Sequence, residues 1–321
     1  APAIAATSEL VEREAQLDQL HAGFRQILAG KPTCIDIVGS AGTGKTALLR
    51  HFVAQLHEPD LVVLASSCSA REALPFRAFD GLVDALTGHL LRIDAAERDA
   101  LIVPLGESLY ALAQIFPVLA RVPWIASQTP ASVPEPPEMR RRAFHGLKTL
   151  LFRVAERRPL IVFLDNLQWG DVDSARLLDD LLAPPGVPPL LLVSAYRRDE
   201  ATPMLRDINL LRAMVTPAYA LRVVETPPLS LAGATQLALR LQAGEPSPRR
   251  TRSAEHLARE SGGNPALLRA LVQELAQGSA GAPELTLPGG DGDLLRRLVR
   301  ARLHRLNPEA REVFARVIAA D

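Results

Sequence analysis

Residues 39–46 of the chain read Gly39-Ser40-Ala41-Gly42-Thr43-Gly44-Lys45-Thr46. The run before them, residues 33–38, is mostly β-branched and apolar, and the apolar residues after them recur at helical spacing. Glycines in such a stretch allow backbone N–H groups to turn inward onto a phosphate, and the following helix adds the positive end of its dipole. The pattern G-x-x-x-x-G-K-[ST] between a strand and a helix therefore predicts a phosphate-binding loop.

The end of this loop carries its side-chain chemistry. Lys45 is expected to reach the β- and γ-phosphates of a nucleotide, and Thr46 to offer its hydroxyl to Mg²⁺. We expect residues 39–46 and Ala47 to contact ATP or ADP, with Mg²⁺ as the accompanying ion.

Composition sets limits on the class of protein. The 321 residues suggest two domains or slightly more, and Lys+Arg and Asp+Glu are both 36, so there is no basic excess of the kind that DNA-binding surfaces usually show. The only two cysteines, Cys34 and Cys68, fall in or just after predicted strands and are expected to be free thiols in a reducing cytoplasm. The apolar stretch 101–125 contains three prolines and two charges, which excludes it as a membrane-spanning helix.

Apolar runs predict the architecture. A first helix is expected from Ser8 to Leu28. Strands are predicted at Thr33–Val38, Leu61–Ala65, Leu160–Leu164, Leu190–Ala195 and Leu221–Val224. Because these runs are continuously apolar, we expect an α/β fold with a parallel five-stranded sheet covered by helices. After Pro228 only helices are predicted, at Leu231–Leu241, Ser253–Glu260 and Pro265–Gln277.

A second motif follows the third predicted strand. Asp165 ends the run 160–164, which is the form of a Walker B element, and such an aspartate can hold Mg²⁺ directly or through water. It lies 120 residues after Lys45. That spacing leaves room for an additional strand along the chain, the run 61–65, and favours the ATPase branch of P-loop proteins over the compact kinase and GTPase branch.

Several other polar residues are candidates for the chemistry. Asn166 could position a water molecule but cannot accept its proton. Asp171 could be a base, although Asp171 and Asp173 are equally explained as cap and first-turn residues of the next helix. Arg197 and Arg198 end the fourth strand, where one of them could contact a γ-phosphate or both could be solvated.

Residues in order along the chain resemble a known family. They are Leu10-Val11-Glu12-Arg13-Glu14, the phosphate-binding loop, Leu74-Pro75-Phe76, Arg158-Pro159-Leu160 leading to Asp165-Asn166-Leu167-Gln168-Trp169-Gly170-Asp171, Ala195-Tyr196-Arg197, and Gly262-Gly263-Asn264-Pro265. The series resembles the ATPase module of signal-transduction ATPases with numerous domains, which are AAA-like P-loop proteins. The closest subgroup is the large ATP-binding LuxR-type transcriptional regulators.

The resemblance implies roles and partners. Arg13 would lie near the adenine and ribose, Arg197 would be the γ-phosphate sensor, and Pro265 would pack on the adenine. The implied domains are a P-loop NTPase at 1–227, a helical lid at 228–278, a linker at 279–292 and the start of a truncated winged-helix domain at 293–321. The nucleotide would control conformation or self-association within a larger cytoplasmic regulator, and this part of it would contact neither DNA nor membrane.

Two positions depart from the family pattern. Glu12 stands where glycine is usual, and Asn166 stands where a second acidic residue is usual, so ATP hydrolysis is expected to be slow. A stand-alone phosphotransferase and an origin-recognition-like DNA-binding ATPase are the alternative functions. Asn264 and Pro265 are also explained simply as a helix cap and a first helical residue.

Overall fold

Two compact units make up the part of the chain that the structure, a computed structural model, describes. The described residues are 10–70, 75–128, 135–197, 202, 204–206, 219–242, 245 and 247–278. The first unit runs to Thr226 except for Gly42–Gly44, and the second consists of Gly42–Gly44 and the residues from Pro227. The expected linker at 279–292 and the expected winged-helix start at 293–321 lie outside the described residues.

A parallel sheet forms the centre of the first unit. Its strands are β1 (Thr33–Val38), β2 (Val62–Ser67), β3 (Leu160–Asp165), β4 (Leu191–Tyr196) and β5 (Ala220–Glu225). They lie in the order β2-β3-β4-β1-β5, and every described pairing is parallel. The predicted α/β fold with a five-stranded parallel sheet is therefore confirmed.

Alternate residues of the strands face two different hydrophobic clusters. Ile35 and Ile37 of β1 pack with α1 (Glu14–Leu28) and α2 (Lys45–Gln55) on one face of the sheet. Cys34 of β1 belongs to the cluster on the other face. Strands buried on both sides read as continuous apolar runs, which is why β1 and β3 were predictable from sequence.

A block of helices separates β2 from β3 along the chain. It comprises α3 (Arg77–Arg92), α4 (Ala95–Ile102), α5 (Glu107–Ile115), α6 (Pro123–Ala126) and α7 (Pro136–Arg157), with short 3₁₀ helices at Val103–Leu105 and Pro117–Arg121. Rings of Phe76, Phe116 and Phe144 meet in its core, with centroids 5.6–5.7 Å apart. The loop after β3 contains a 3₁₀ helix, Leu167–Trp169, and leads to α8 (Val172–Leu182).

The second unit contains three helices among its described residues. They are α9 (Leu231–Leu241), α10 (Pro248–Glu260) and α11 (Pro265–Gly278), with Leu237, Leu257 and Leu268 in their core. Ser230 and Ser247 cap the first two by accepting hydrogen bonds from backbone N–H groups. Helix α10 begins at Pro248, five residues before the predicted start at Ser253.

The first helix also differs from its prediction. It begins at Glu14 rather than near Ser8, which lies outside the described residues. The cause is Glu12, whose φ of +55° places the backbone in the left-handed region and prevents a helix from passing through it. Helical periodicity in the side chains did not reveal this backbone turn.

Two simpler predictions concern burial and length. Cys34 and Cys68 are both buried free thiols. Within the described part of the chain, none of the helices has the length together with the apolar character that crossing a bilayer requires.

Helix α7 lies very close to α5 at Gly146, and a substitution there tests the packing of the helical block. A Cβ at Gly146 would lie 2.8 Å from the Ser108 carbonyl oxygen, so alanine would force the two backbones apart. We expect Gly146→Ala to lower the thermal unfolding midpoint, although alanine favours a helix over glycine by about 1 kcal/mol. The matched control is Gly88→Ala in α3, where a Cβ would meet only the mobile end of Arg92, at 3.3 Å. That change should leave the midpoint unchanged or raise it, and equal effects of the two substitutions would contradict the packing argument.

Candidate functional site

The loop after β1 is held by the side chain of its own lysine. Lys45 Nζ donates hydrogen bonds to the carbonyl oxygens of Gly39 (2.7 Å) and Ser40 (2.8 Å), and the side chain is buried. Gly42 and Gly44 have φ values of +79° and +95°, a backbone conformation that residues with a Cβ atom rarely adopt. Helix α2 begins at Lys45, so its first N–H groups face the loop, as an anion-binding site requires.

The hydroxyl of the next residue contacts the second motif. Thr46 Oγ1 donates a hydrogen bond of 2.8 Å to Asp165 Oδ2. Asp165 is buried at the end of β3. It reaches Thr46, which follows β1, even though β4 lies between β3 and β1 in the sheet. The sheet order therefore brings together a hydroxyl and a carboxylate oxygen, two possible metal ligands that are 119 residues apart in the sequence.

The environment of Asp165 fits a divalent cation. Burial raises the pKa of its carboxyl group, while hydrogen bonds from the Thr46 hydroxyl and the Asn166 backbone N–H oppose that rise. The charges of Lys45 and Arg50 also oppose that rise. A carboxylate and a hydroxyl side by side are oxygen ligands of the kind that Mg²⁺ takes. Thr46 and Asp165 would hold the ion, which would supply positive charge at the phosphate oxygens.

Asn166 has an unusual backbone and a fixed side chain. Its φ of +53° is left-handed, which asparagine tolerates better than most residues. Its N–H donates to Asp165 Oδ1 (2.9 Å), and its Nδ2 donates to the Ser67 hydroxyl at the end of β2 (3.2 Å). Ser67 is a contact that the sequence alone did not identify, because it depends on β2 lying beside β3.

Residues 9–193 match a family model described as the AAA ATPase domain. The chain belongs to this family. Membership implies nucleotide binding, which agrees with the loop and with the Thr46–Asp165 pair.

Similar proteins place this AAA ATPase domain in context. An uncharacterized protein of Rhizobium meliloti (strain 1021) is 27% identical over 217 residues, which are 65% of this chain and 20% of that protein. The chain thus spans about a fifth of that relative's length. The Walker-type ATPase of Pyrococcus abyssi is 16% identical with a TM-score of 0.51, over 96% of this chain and 76% of that one. The ORC2 protein of Aeropyrum pernix is 15% identical with a TM-score of 0.45, over 91% of this chain and 68% of that one.

The arginines expected at the nucleotide occupy different surroundings in the AAA ATPase domain. Arg197 directly follows β4, and its backbone N–H donates to Gln168 Oε1 (3.3 Å). Arg198 lies outside the described residues. Arg13 is buried at the start of α1, where burial lowers the pKa of its guanidinium and Nη1 donates to the Glu12 carbonyl oxygen (2.9 Å). Their contacts with a nucleotide remain predictions.

Pro265 and its neighbours belong to the second unit. Asn264 Oδ1 accepts from the N–H groups of Ala266 (3.0 Å) and Leu267 (3.1 Å), so the cap interpretation of this motif is confirmed. The Ala266 N–H also donates to the carbonyl oxygen of Gly42, which is part of the same unit, at 3.2 Å.

Asp171 is a helix-cap residue, and its hydrogen bonds go to groups at the starts of two helices. Its carboxylate accepts from the N–H and hydroxyl of Ser174 and from the N–H groups of Phe76 and Arg77, and thereby joins the starts of α8 and α3. Burial alone would raise the pKa of Asp171, but these hydrogen bonds outweigh it and lower the pKa. A carboxylate committed in this way is poorly suited to accept a proton from water.

Substitution of Asp171 should therefore affect stability. We expect Asp171→Ala to lower the free energy of unfolding by about 2 kcal/mol at pH 7, the upper end for a helix cap, because two helix starts lose their acceptor. Asp173→Ala is the matched control, since in the described part of the chain the Asp173 carboxylate pairs with the side chains of Arg140 and Arg176. Because the pKa of Asp171 is lowered on folding, its contribution is present at neutral pH and declines as pH falls through the ordinary value of about 3.9. Urea unfolding that gave equal losses for the two variants would contradict this role.

Proposed function

We propose that this AAA ATPase domain is an ATP-binding regulatory switch of a LuxR-type transcriptional regulator, in which the bound nucleotide controls conformation or self-association. The observation that carries its nucleotide-binding part is the hydrogen bond between Thr46 and Asp165, because two oxygen atoms that could hold Mg²⁺ meet beside the phosphate-binding loop. The length of the Rhizobium meliloti relative, of which this chain matches 20%, supports a module within a larger regulator.

The motif series supports the roles of individual residues in this proposal. Arg13 contacts the adenine, and Arg197 reports the γ-phosphate. The two buried free cysteines agree with a location in the reducing cytoplasm.

The surroundings of Asn166 support a switch rather than a motor. Its amide is fixed beside Asp165 by Ser67 and cannot take a proton from water. Slow hydrolysis would leave the domain in its ATP-bound state long enough for partners to respond.

Nucleotide binding is tested first by removing the lysine of the loop. We expect Lys45→Ala to weaken binding of ATP with Mg²⁺ by about 1.5–3 kcal/mol, because a charge-assisted contact with the phosphates is lost. Lys148→Ala is the matched control, since Lys148 Nζ also donates to a backbone carbonyl oxygen, that of Asp180 at the end of α8 (3.0 Å). By titration calorimetry the control should bind ATP normally, and an unchanged affinity in Lys45→Ala would refute the site.

Hydrolysis is tested at Asn166. We expect Asn166→Asp to raise ATP turnover by about 10²- to 10⁴-fold, the usual effect of a general base, while ATP affinity changes little. Aspartate also tolerates the left-handed backbone, and the Ser67 hydroxyl can donate to its carboxylate. The double variant Lys45→Ala with Asn166→Asp should be inactive, which excludes a contaminating ATPase.

Phosphate release assays with and without small-molecule acceptors or DNA complete this test. Turnover of several ATP per second by the unmodified chain, or no response to Asn166→Asp, would show that another group is the base. Transfer of phosphate to an acceptor would favour a phosphotransferase, and stimulation by DNA would favour the origin-recognition-like alternative.

A further inference from the structure

Gln168 is a polar side chain buried in the core just after the strand that carries Asp165. It is 1% exposed. Its Oε1 accepts the backbone N–H of Arg197 at 3.3 Å, whereas its Nε2 is buried without a hydrogen-bond partner among the described residues. A buried donor without a partner is unfavourable, so packing alone would favour an apolar side chain here. The amide is therefore better explained by what its oxygen holds in place.

A second contact joins the same two segments at Gly170. Met204, which follows β4, is fully buried, and a Cβ at Gly170 would overlap its sulfur atom. The Met204 sulfur therefore lies against Gly170, in the space that a Cβ at this position would occupy. Arg197 and Met204, which both follow β4, therefore each contact the loop after β3.

The loop between these two contacts and Asp165 is a short hydrogen-bonded turn. The Trp169 N–H donates to the Asn166 carbonyl oxygen (2.9 Å), and the Gly170 N–H donates to that of Leu167 (2.9 Å). Asn166 begins this turn and is bonded to Asp165 through its own N–H. These hydrogen bonds connect Gln168 and Gly170 to Asn166 within one turn.

We infer that Gln168 and Gly170 are positioning residues that couple the loop after β3 to Arg197 and Met204. Through them, a γ-phosphate contacted at Arg197 fixes the position of Asn166 beside Asp165. The inference rests on the proposed function, since it assigns to these two residues the discrimination of ATP from ADP. Neither residue is expected to touch the nucleotide.

The test replaces the amide by an apolar side chain of the same shape. In Gln168→Met we expect ATP to bind and the thermal midpoint to change little, because removal of the unpartnered Nε2 offsets the loss of the acceptor for the Arg197 N–H. The preference for ATP over ADP should fall on the order of tenfold, since Arg197 loses its anchor. Turnover should fall on the order of 10- to 100-fold through misplacement of Asn166. Calorimetry with ATP and with ADP, a thermal scan and a phosphate release assay measure these quantities.

The matched control is Gln26→Met. Gln26 Oε1 accepts from the Thr33 hydroxyl (3.0 Å) at the end of β1 remote from the loop, so the same chemical change should leave nucleotide preference and turnover unaltered. A Gln168→Met protein that retains the ATP preference and turnover of the unmodified chain would overturn the inference. A purely structural role predicts a lowered midpoint with unchanged nucleotide preference.

Gly170→Ala provides a second variant in case Gln168→Met does not fold. It leaves Gln168 intact but displaces Met204, and we expect the same loss of ATP preference. Adding Met204→Ala removes the overlapping atoms and should restore part of it; no recovery would exclude the Met204 contact. If the unmodified chain binds no nucleotide, or binds ATP and ADP equally, the proposed function itself fails. If the unmodified chain prefers ATP and all these variants keep that preference, the proposed function stands and only the inferred role of Gln168 and Gly170 fails.

Discussion

The hydrogen bond between the Thr46 hydroxyl and the Asp165 carboxylate is the contact on which the site depends. It can form only because β1 and β3 are parallel and both end at the same edge of the sheet, with β4 as the single strand between them. Three other features support this contact. They are the glycines of the loop, the start of α2 at Lys45 and the buried end of β3. Other parts of the first unit support the Thr46–Asp165 hydrogen bond less directly.

Local sequence predicted the features that are local in origin. The phosphate-binding loop, the ends of β1 and the helix from Leu231 to Leu241 follow from glycine, burial on both faces and helical periodicity. The caps at Asp171 and Asn264 were also foreseeable, because their side chains bond to N–H groups two or three residues ahead. These signals depend on a few neighbours in the chain.

Features that depend on distant pairing were not predictable in this way. The run 61–65 marked an additional strand between the two motifs along the chain, yet β2 lies at the edge beyond β3, and β4 is the strand that lies between β3 and β1. Burial of Gln168 and the contact of Asn166 with Ser67 both follow from that order. The left-handed backbones of Glu12 and Phe76 were hidden as well, because neither residue type favours that conformation.

The order of the strands also sets the order in which the sheet can assemble. Strand β2 pairs with β3 and β3 with β4, each the next strand along the chain, but β1 pairs only with β4 and β5, which are made last. Thr33 pairs with Leu191 on one side and Ala220 on the other, and both of these residues are synthesised after it. During synthesis, which proceeds from the N-terminus, the strand that leads into the phosphate-binding loop is therefore made first among the strands and completed last. Loop closure over such distances is slow, so the ability to bind a nucleotide is acquired only at the end of folding of this unit.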